Sequence, residues 1–151
     1  MTPVEITALD THRLRRAVLR DGRLDADVVW DGDDEATTFH LGIDVDGVIA
    51  AISTWLVRPC PTATDVPAVQ LRGMATDPAY VGRGLGSLLV VRGLERVRRG
   101  GDAGVWANAR VTAISFYERH GFEAFGPVFE TTDTGRAHPR GGTTRWREVG
   151  S

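Results

Sequence analysis

The stretch from Val69 to Gly86, V-Q-L-R-G-M-A-T-D-P-A-Y-V-G-R-G-L-G, constrains this chain more than any other. It begins as an apolar strand, breaks at Asp77-Pro78, and passes through Gly82, Gly84 and Gly86 into an amphipathic helix. A strand that delivers a glycine-rich turn to a helix N-terminus aims backbone amides at a phosphate. The first helical turn has about four N–H groups without an intrahelical partner, and the macrodipole adds roughly half a positive charge there. Glycine matters because a side chain would hold a bulky anion away from the backbone. The plain alternative is that these glycines only permit a tight turn.

Several chemistries are excluded at once. The chain has no lysine, so all 18 of its strongly basic residues are arginine. A P-loop needs G-x-x-x-x-G-K-[ST] and a Schiff-base enzyme needs a lysine. The G-x-G-x-G spacing, in mid-chain and beyond a break, weakens a dinucleotide fingerprint, which needs G-x-G-x-x-G at a first strand–helix turn. A net charge of −2 gives no overall basic footprint for nucleic acid, which leaves open only local patches such as one around Arg96, Arg98 and Arg99. With Cys60 as the single cysteine no intrachain disulfide forms, and the thiol in Pro-Cys-Pro reads as inert. The four histidines show no H-E-x-x-H or paired Cys/His spacing, so no metal is expected. No signal peptide and no apolar run near the ~18 residues of a membrane span are evident. A cytoplasmic protein without a membrane partner is expected.

At 151 residues the chain is expected to form a single domain, 1–151. Val4 to Leu9 reads as a strand, with Asp10-Thr11 capping a helix that runs to Arg20 and presents Leu9, Leu14, Ala17 and Val18. The acidic, turn-rich stretch Asp21 to Thr37 reads as a mobile surface loop or weak helix whose charges are solvated. Phe39 to Val45 and Val48 to Val57 form a hairpin about Asp46-Gly47. Arg58 to Pro67 is a loop and Val69 to Thr76 a strand. The helix from Gly84 to Gly100 presents Leu85, Leu88, Leu89, Val91 (or the Arg92 stem), Leu94 and Val97, with Glu95 pairing to Arg98 or Arg99. Gly93 within it costs about 1 kcal/mol of propensity, which points to close packing. Gly104 to Ala107 is a short strand, Thr112 caps a helix from Ala113 to His120, and Phe122 to Glu130 and Thr143 to Val149 are closing strands. The order β, α, β, β, β, α, β, α, β, β gives an α/β mixed sheet with helices on its faces.

Val81-Gly82-Arg83-Gly84-Leu85-Gly86, preceded by Thr76-Asp77-Pro78, resembles motif A of the GNAT superfamily of acetyl-CoA-dependent N-acetyltransferases, [QR]-x-x-G-x-[GA] after a strand. Val81 departs from it, since the family usually has Gln or Arg there; Arg83 is the candidate replacement for the lost pyrophosphate contact. Val105 to Arg110 followed by Ser115-Phe116-Tyr117-Glu118-Arg119-His120-Gly121-Phe122 resembles motif B, a strand ending in Asn and then a helix with F-Y-x-x-x-G-F. The resemblance runs from about His40 to Phe129. It implies a central, mostly antiparallel sheet of about six or seven strands flanked by about three or four helices.

The resemblance also assigns roles. Acetyl-CoA is the implied acyl donor, held by Met74, Thr76, Val81, Gly82, Arg83, Gly84, Leu85, Gly86, Ser87, Asn108 and Tyr117, with no metal. Gly73 interrupts a good strand, which by itself suggests a bulge or close backbone approach. In the family that strand is bulged, so the Met74 N–H would polarise the thioester carbonyl and the Thr76 backbone would pair with the pantetheine arm. A fixed donor aimed at a developing oxyanion stabilises it without reorganisation. Tyr117 would protonate or hydrogen-bond the departing thiolate, with Phe116 taking the core position instead; alternatively Tyr117 is itself a core aromatic. Asn108 would contact the pantetheine or a water, or simply form a strand-end turn. The general base stays open among His40, Glu130, His138 and water, because Gln70 stands where some relatives carry a carboxylate. The expected reaction is acetyl transfer to a primary amine of a small molecule or peptide by direct attack in a ternary complex. Rivals are a longer acyl donor, a hydroxyl acceptor, or an acyl-CoA-binding module without catalysis. The acceptor would meet the loops near 21–37, 58–67 and 131–142, and a homodimer is left open.

Overall fold

The computed structural model describes residues 1–61, 68–101, 104–130 and 140–147, apart from the side chains at 125–130, 140–142 and 147. Most of the loop after Arg58, the segment with Gly135, His138 and Pro139, the Glu130 side chain, and the end of the last expected strand lie outside the described residues. Seven strands hydrogen-bond in the order β1-β2-β3-β4-β5-β7-β6. They are β1 (Val4–Ile6), β2 (Phe39–Val45), β3 (Val48–Val57), β4 (Val69–Thr76), β5 (Gly104–Arg110), β6 (Glu123–Glu130) and β7 (Arg140–Arg147). Three α-helices accompany them: α1 (Ala8–Leu14), α2 (Leu85–Arg99) and α3 (Ile114–Glu118). The order of elements along the chain is the one expected, and β4 against β5 is a parallel pairing among antiparallel ones. By internal contacts the chain divides into two compact units, Met1–Leu56 with Leu71–Glu95, and Val57–Gln70 with Arg96–Ser151.

In the first unit the β2–β3 hairpin forms as expected. Both Asp46 (φ 53°) and Gly47 (φ 83°) are left-handed, as a two-residue turn with matching twist requires. Leu14, Ile52 and Ala75 form a buried cluster, with Ile6, Val18, Leu19 and Ile49 packed on it. Trp55 is fully buried and stacks on Phe39 at 5.7 Å, and its Nε1–H donates to Ser53 Oγ at 2.9 Å. Helix α2 lays Gly93 directly on that indole: a Cβ at 93 would collide with Trp55 Cζ2, Cε2 and Cη2. The buried face of α2 is Leu85, Leu89, Val90, Gly93 and Val97. Leu88 and Val91 are exposed, contrary to the periodic reading, because the face is centred on the glycine where the backbone comes closest. Glu95 accepts from Arg92 Nη1 at 3.4 Å, one turn back along the helix.

The first helix begins earlier than expected. Thr7 Oγ1 accepts from the Asp10 N–H at 3.2 Å and Asp10 Oδ2 accepts from the Thr7 N–H at 3.0 Å, a reciprocal cap that ends β1 at Ile6. Directly after α1, Arg15–Leu19 form one π-helical turn. Leu14 is buried and Val18 half-buried, while Leu9 (74% exposed), ahead of the π turn, and Ala17, within it, face out.

In the second unit β5 is three residues longer than expected and pairs along its whole length with β7. Trp106 Nε1–H donates to the Arg58 carbonyl at 2.9 Å. Thr112 does not cap a helix; it lies inside a 3₁₀ turn, Val111–Ala113, that leads into the shorter α3. Gly121 (φ 88°) ends α3, with the Phe122 N–H returning to the Tyr117 carbonyl at 3.1 Å.

Candidate active site

The glycine turn is anchored by its acidic neighbour. The Asp77 N–H donates to the Ala50 carbonyl at 2.7 Å, while the Asp77 side chain accepts from the Ala79 N–H at 3.0 Å and from Arg13 Nη1 at 3.1 Å. The Ala79 amide and then Arg13 hold its carboxyl below the ordinary value. Arg13 Nη2 also donates to the Ile49 carbonyl at 2.7 Å, so the turn is tied to β3. Pro78–Tyr80 make one 3₁₀ turn and Val81 is extended and exposed.

Gly82 (φ 87°) and Gly84 (φ 75°) then adopt left-handed conformations that ordinary residues resist, and a Cβ on either would meet nothing within 4 Å. The first ladder bond of α2 runs from the Leu88 N–H to the Gly84 carbonyl at 3.2 Å, so the Leu85 and Gly86 amides stand ahead of the helical ladder. Leu85 is buried and contributes only its backbone there, whereas Gly86 and Ser87 are half-buried. Arg83 is exposed with its guanidinium over the Tyr80 ring at 5.0 Å. The space around both glycines is open, and the turn leads into the N-terminus of the 15-residue helix α2, the kind of end at which backbone amides can meet an anion.

Upstream, Gly73 has φ 65° inside β4, the kind of left-handed residue that bulges a strand. Met74 and Thr76 beyond it are half-buried. The Gly73 α-carbon is covered by Trp30: a Cβ there would lie 2.9 Å from Trp30 Cζ3 and 3.7 Å from Arg15 Nε.

Those two residues open a network that periodicity does not reveal. Arg15, wholly buried, donates through Nη1 to Asp33 Oδ2 (2.6 Å) and the Val28 carbonyl (2.9 Å). Its Nη2 donates to Asp33 Oδ1 (3.0 Å) and Thr54 Oγ1 (2.9 Å). Asp33 also accepts from the Trp30 N–H (3.0 Å) and Arg72 Nη2 (3.2 Å). Burial alone would raise the Asp33 carboxyl; the Arg15 and Trp30 donors, the Arg15 charge and the Arg72 hydrogen bond outweigh it and hold it below the ordinary value. The 21–37 stretch, expected to be mobile or weakly helical, is thus a set of turns clamped through one buried carboxylate. The π turn places Arg15 for this; in sequence the one hint is Trp30 among acidic residues.

His40 belongs to the same network and is no free base. Its Nε2 lies 3.1 Å from the Asp33 carbonyl, which only accepts, so that nitrogen carries the proton. Nδ1, 2.8 Å from Thr54 Oγ1, is then the acceptor of the neutral ring. Desolvation, with the nearby Arg15 and Arg72 charges, lowers its pKa below the ordinary 6.5 despite Asp33.

Asn108 and Tyr117 lie in the second unit. Asn108 is exposed within β5, not at a strand-end turn, and its Oδ1 accepts from Thr143 Oγ1 at 3.0 Å. Tyr117 is 7% exposed, edge-on to Phe116 and Phe122 at 5.3 Å each, while Phe116 is only half-buried, the reverse of the expected order. Desolvation pushes the Tyr117 phenol up to about 12, so it keeps its proton at neutral pH. Cys60 is buried. Among the described residues no cluster of metal-ligating side chains occurs.

A seven-stranded mixed sheet of this order, with three helices, is the fold class of acyl-CoA N-acyltransferases. An acyl-CoA N-acyltransferase from Pseudomonas aeruginosa superposes with a TM-score of 0.74 at 23% identity, covering 95% of this chain and 97% of that one. ElaA from Escherichia coli superposes at 0.75 with 16% identity, over 96% and 98% of the two chains. The sequence profile of the Acetyltransferase (GNAT) family matches residues 8–122, and the chain belongs to that family. The uncharacterized N-acetyltransferase YitI of Bacillus subtilis is 29% identical over 130 residues, 86% of this chain and 87% of that protein.

Proposed function

We propose that the protein transfers an acetyl group from acetyl-CoA to a primary amine of a small molecule or peptide, by direct attack in a ternary complex. The observation that supports this best is the open turn with left-handed Gly82 and Gly84 ahead of α2, with the left-handed Gly73 in the strand that feeds it. Acetyl-CoA supplies an acyl group activated as a thioester. The amides from Gly82 to Ser87 bind its pyrophosphate, without a side-chain donor at Val81 and with Arg83 close by. The Met74 N–H is the donor for the acyl oxygen, and the Thr76 backbone and Asn108 orient the pantetheine arm. Tyr117 holds a proton for the sulfur of the departing CoA, a role a phenol near 12 fills at neutral pH because it does not ionise. With both nitrogens of His40 engaged, the amine's proton leaves through water, Glu130 or His138.

The chain acts as one catalytic domain, in the cytoplasm; among the described residues no helix is long and apolar enough to cross a membrane. Acetyl-CoA at 100 times its Kd stabilises the folded state by about 2.7 kcal/mol, which at roughly 2–4 °C per kcal/mol raises Tm by about 5–10 °C. Gly84→Glu abolishes that rise, and CoA release on an amine panel establishes turnover. An unchanged shift in Gly84→Glu refutes the cradle. Acetyl-CoA binding without CoA release on any amine favours an acyl-CoA-binding module instead.

A further inference from the structure

Three guanidinium groups surround the Trp30 ring that covers Gly73: Arg15 at 3.8 Å, Arg20 at 5.2 Å and Arg72 at 5.5 Å from its centroid. One buried carboxylate, Asp33, serves both Arg15 and Arg72. Arg20, half-buried, makes one hydrogen bond, Nη1 to the carbonyl of adjacent Leu19 at 3.1 Å, and among the described residues it has no carboxylate within ion-pair distance. Its neighbour Arg16 is half-buried too, and the Nε atoms of Arg15 and Arg16 are buried without an acceptor. Partial burial of an unpaired cation is costly. Beside the strand irregularity, Arg20 is therefore a half-buried cation without, among the described residues, a carboxylate of its own.

We infer that the acceptor amine carries an anionic group, a carboxylate in the simplest case, and that Arg20 binds it on the Trp30 side of Gly73. This rests on the acyl-transfer reading above. A guanidinium laid over an aromatic ring keeps its in-plane N–H fork free for two parallel bonds to a carboxylate. Gly73 and Arg20 both contact the Trp30 indole, so an acceptor held by Arg20 is held beside the ring that covers Gly73. The exposed Asp34 and Glu35 of the same loop suit the opposite end of such a molecule, attracting its ammonium on approach. The substrate class is an amino acid, or another amine with a nearby carboxylate.

The test compares L-amino acids with their carboxamides as acceptors, in the wild type and Arg20→Gln. CoA release is one readout and the thermal shift given by each compound alone is the other. The wild type should favour acids over amides by about 10- to 100-fold in kcat/KM, the range of a charge-assisted hydrogen bond. Arg20→Gln should remove that preference through the KM of the acids, leaving the amides within about twofold. A wild-type acid-to-amide ratio near one overturns the inference and leaves acyl transfer standing, and it is read without any variant. So does an equal loss on both acceptor types in Arg20→Gln. If no amine releases CoA, yet acids and not amides raise the melting temperature of the wild type alone, the anion site stands and the acyl-transfer reading falls. The absence of both turnover and an acid-specific shift overturns the inference.

Discussion

Asp33→Asn is the substitution whose cost the structure sets most firmly. Asp33 accepts four hydrogen bonds, two from the Arg15 fork at 2.6 and 3.0 Å, one from the Trp30 amide at 3.0 Å and one from Arg72 at 3.2 Å. Arg15 is 0% exposed, so its charge has no water to fall back on once the carboxylate is gone. Asparagine keeps the shape, but its amide nitrogen turns N–H bonds toward an N–H donor, and the compensating charge is lost. Removing one partner of a buried ion pair costs about 3–5 kcal/mol, a large share of the roughly 5–15 kcal/mol that holds a domain folded. With a urea slope near 2 kcal/mol per molar, the unfolding midpoint should fall by about 2 M. Urea titration followed by tryptophan fluorescence measures this. Arg15→Met in the same background should recover much of the loss, because both charges are then absent. A midpoint for Asp33→Asn within about 0.3 M of the wild type, less than one surface interaction is worth, would refute the account of the 21–37 segment as clamped by this carboxylate.

Gly93→Ala gains about 1 kcal/mol of helix propensity, yet the new methyl collides with the Trp55 indole and overpacking costs about 1–3 kcal/mol or more; calorimetry should show a lower Tm, and Trp55→Leu in the same chain should return part of it. Acid stability should fall in two stages. His40 is depressed in the folded state, so its contribution is present above 6.5 and declines as pH falls below that value, where the unfolded imidazole takes up its proton first. Asp33, depressed below 3.8, adds stability above that pH that is lost as pH drops through the folded value, and His40→Gln should flatten the first stage alone in urea midpoints measured against pH. Tyr117→Phe should leave stability and acetyl-CoA binding nearly unchanged while lowering kcat about 100-fold, the scale of a lost general acid; in the wild type, kcat should show no basic limb below about pH 10, since the phenol titrates near 12.

What the sequence disclosed is what local signals carry. The Asp46-Gly47 turn fixes its hairpin because only particular backbone angles close two residues, and β4 emerged with its bounds intact because an apolar run meets a hard stop at Asp77-Pro78. Gly93 announced close packing, although not its partner, since Trp55 lies 38 residues away in the chain. The glycine turn ahead of α2 was legible for the same reason: the left-handed backbone at Gly82 and Gly84 is written in the residues that permit it. The Arg15–Asp33–Arg72 network was not. Its members are separated by 18 and 39 residues, follow no period, and read individually as surface charges. His40 shows the same gap, because its freedom to act as a base depends on Thr54 and the Asp33 carbonyl, neither of which is adjacent in sequence. Thr112 failed as a cap because β5 runs on to Arg110, leaving the threonine inside the turn it was expected to begin.

The π turn at Arg15–Leu19 also bears on how this chain is to be compared with others. One such turn accommodates one residue more than the α-helix around it, so a relative lacking it is one residue shorter between Thr7 and the β2 strand. An ungapped alignment anchored on β2 would match Arg15 and the side chains before it to neighbours about 100° away around the helix axis. Arginine at the matched column would then say nothing about whether a relative possesses the partner of Asp33. Deleting Ala17 makes the same point experimentally: it restores α-helical winding while sparing both ends of the clamp, and it should uncouple them.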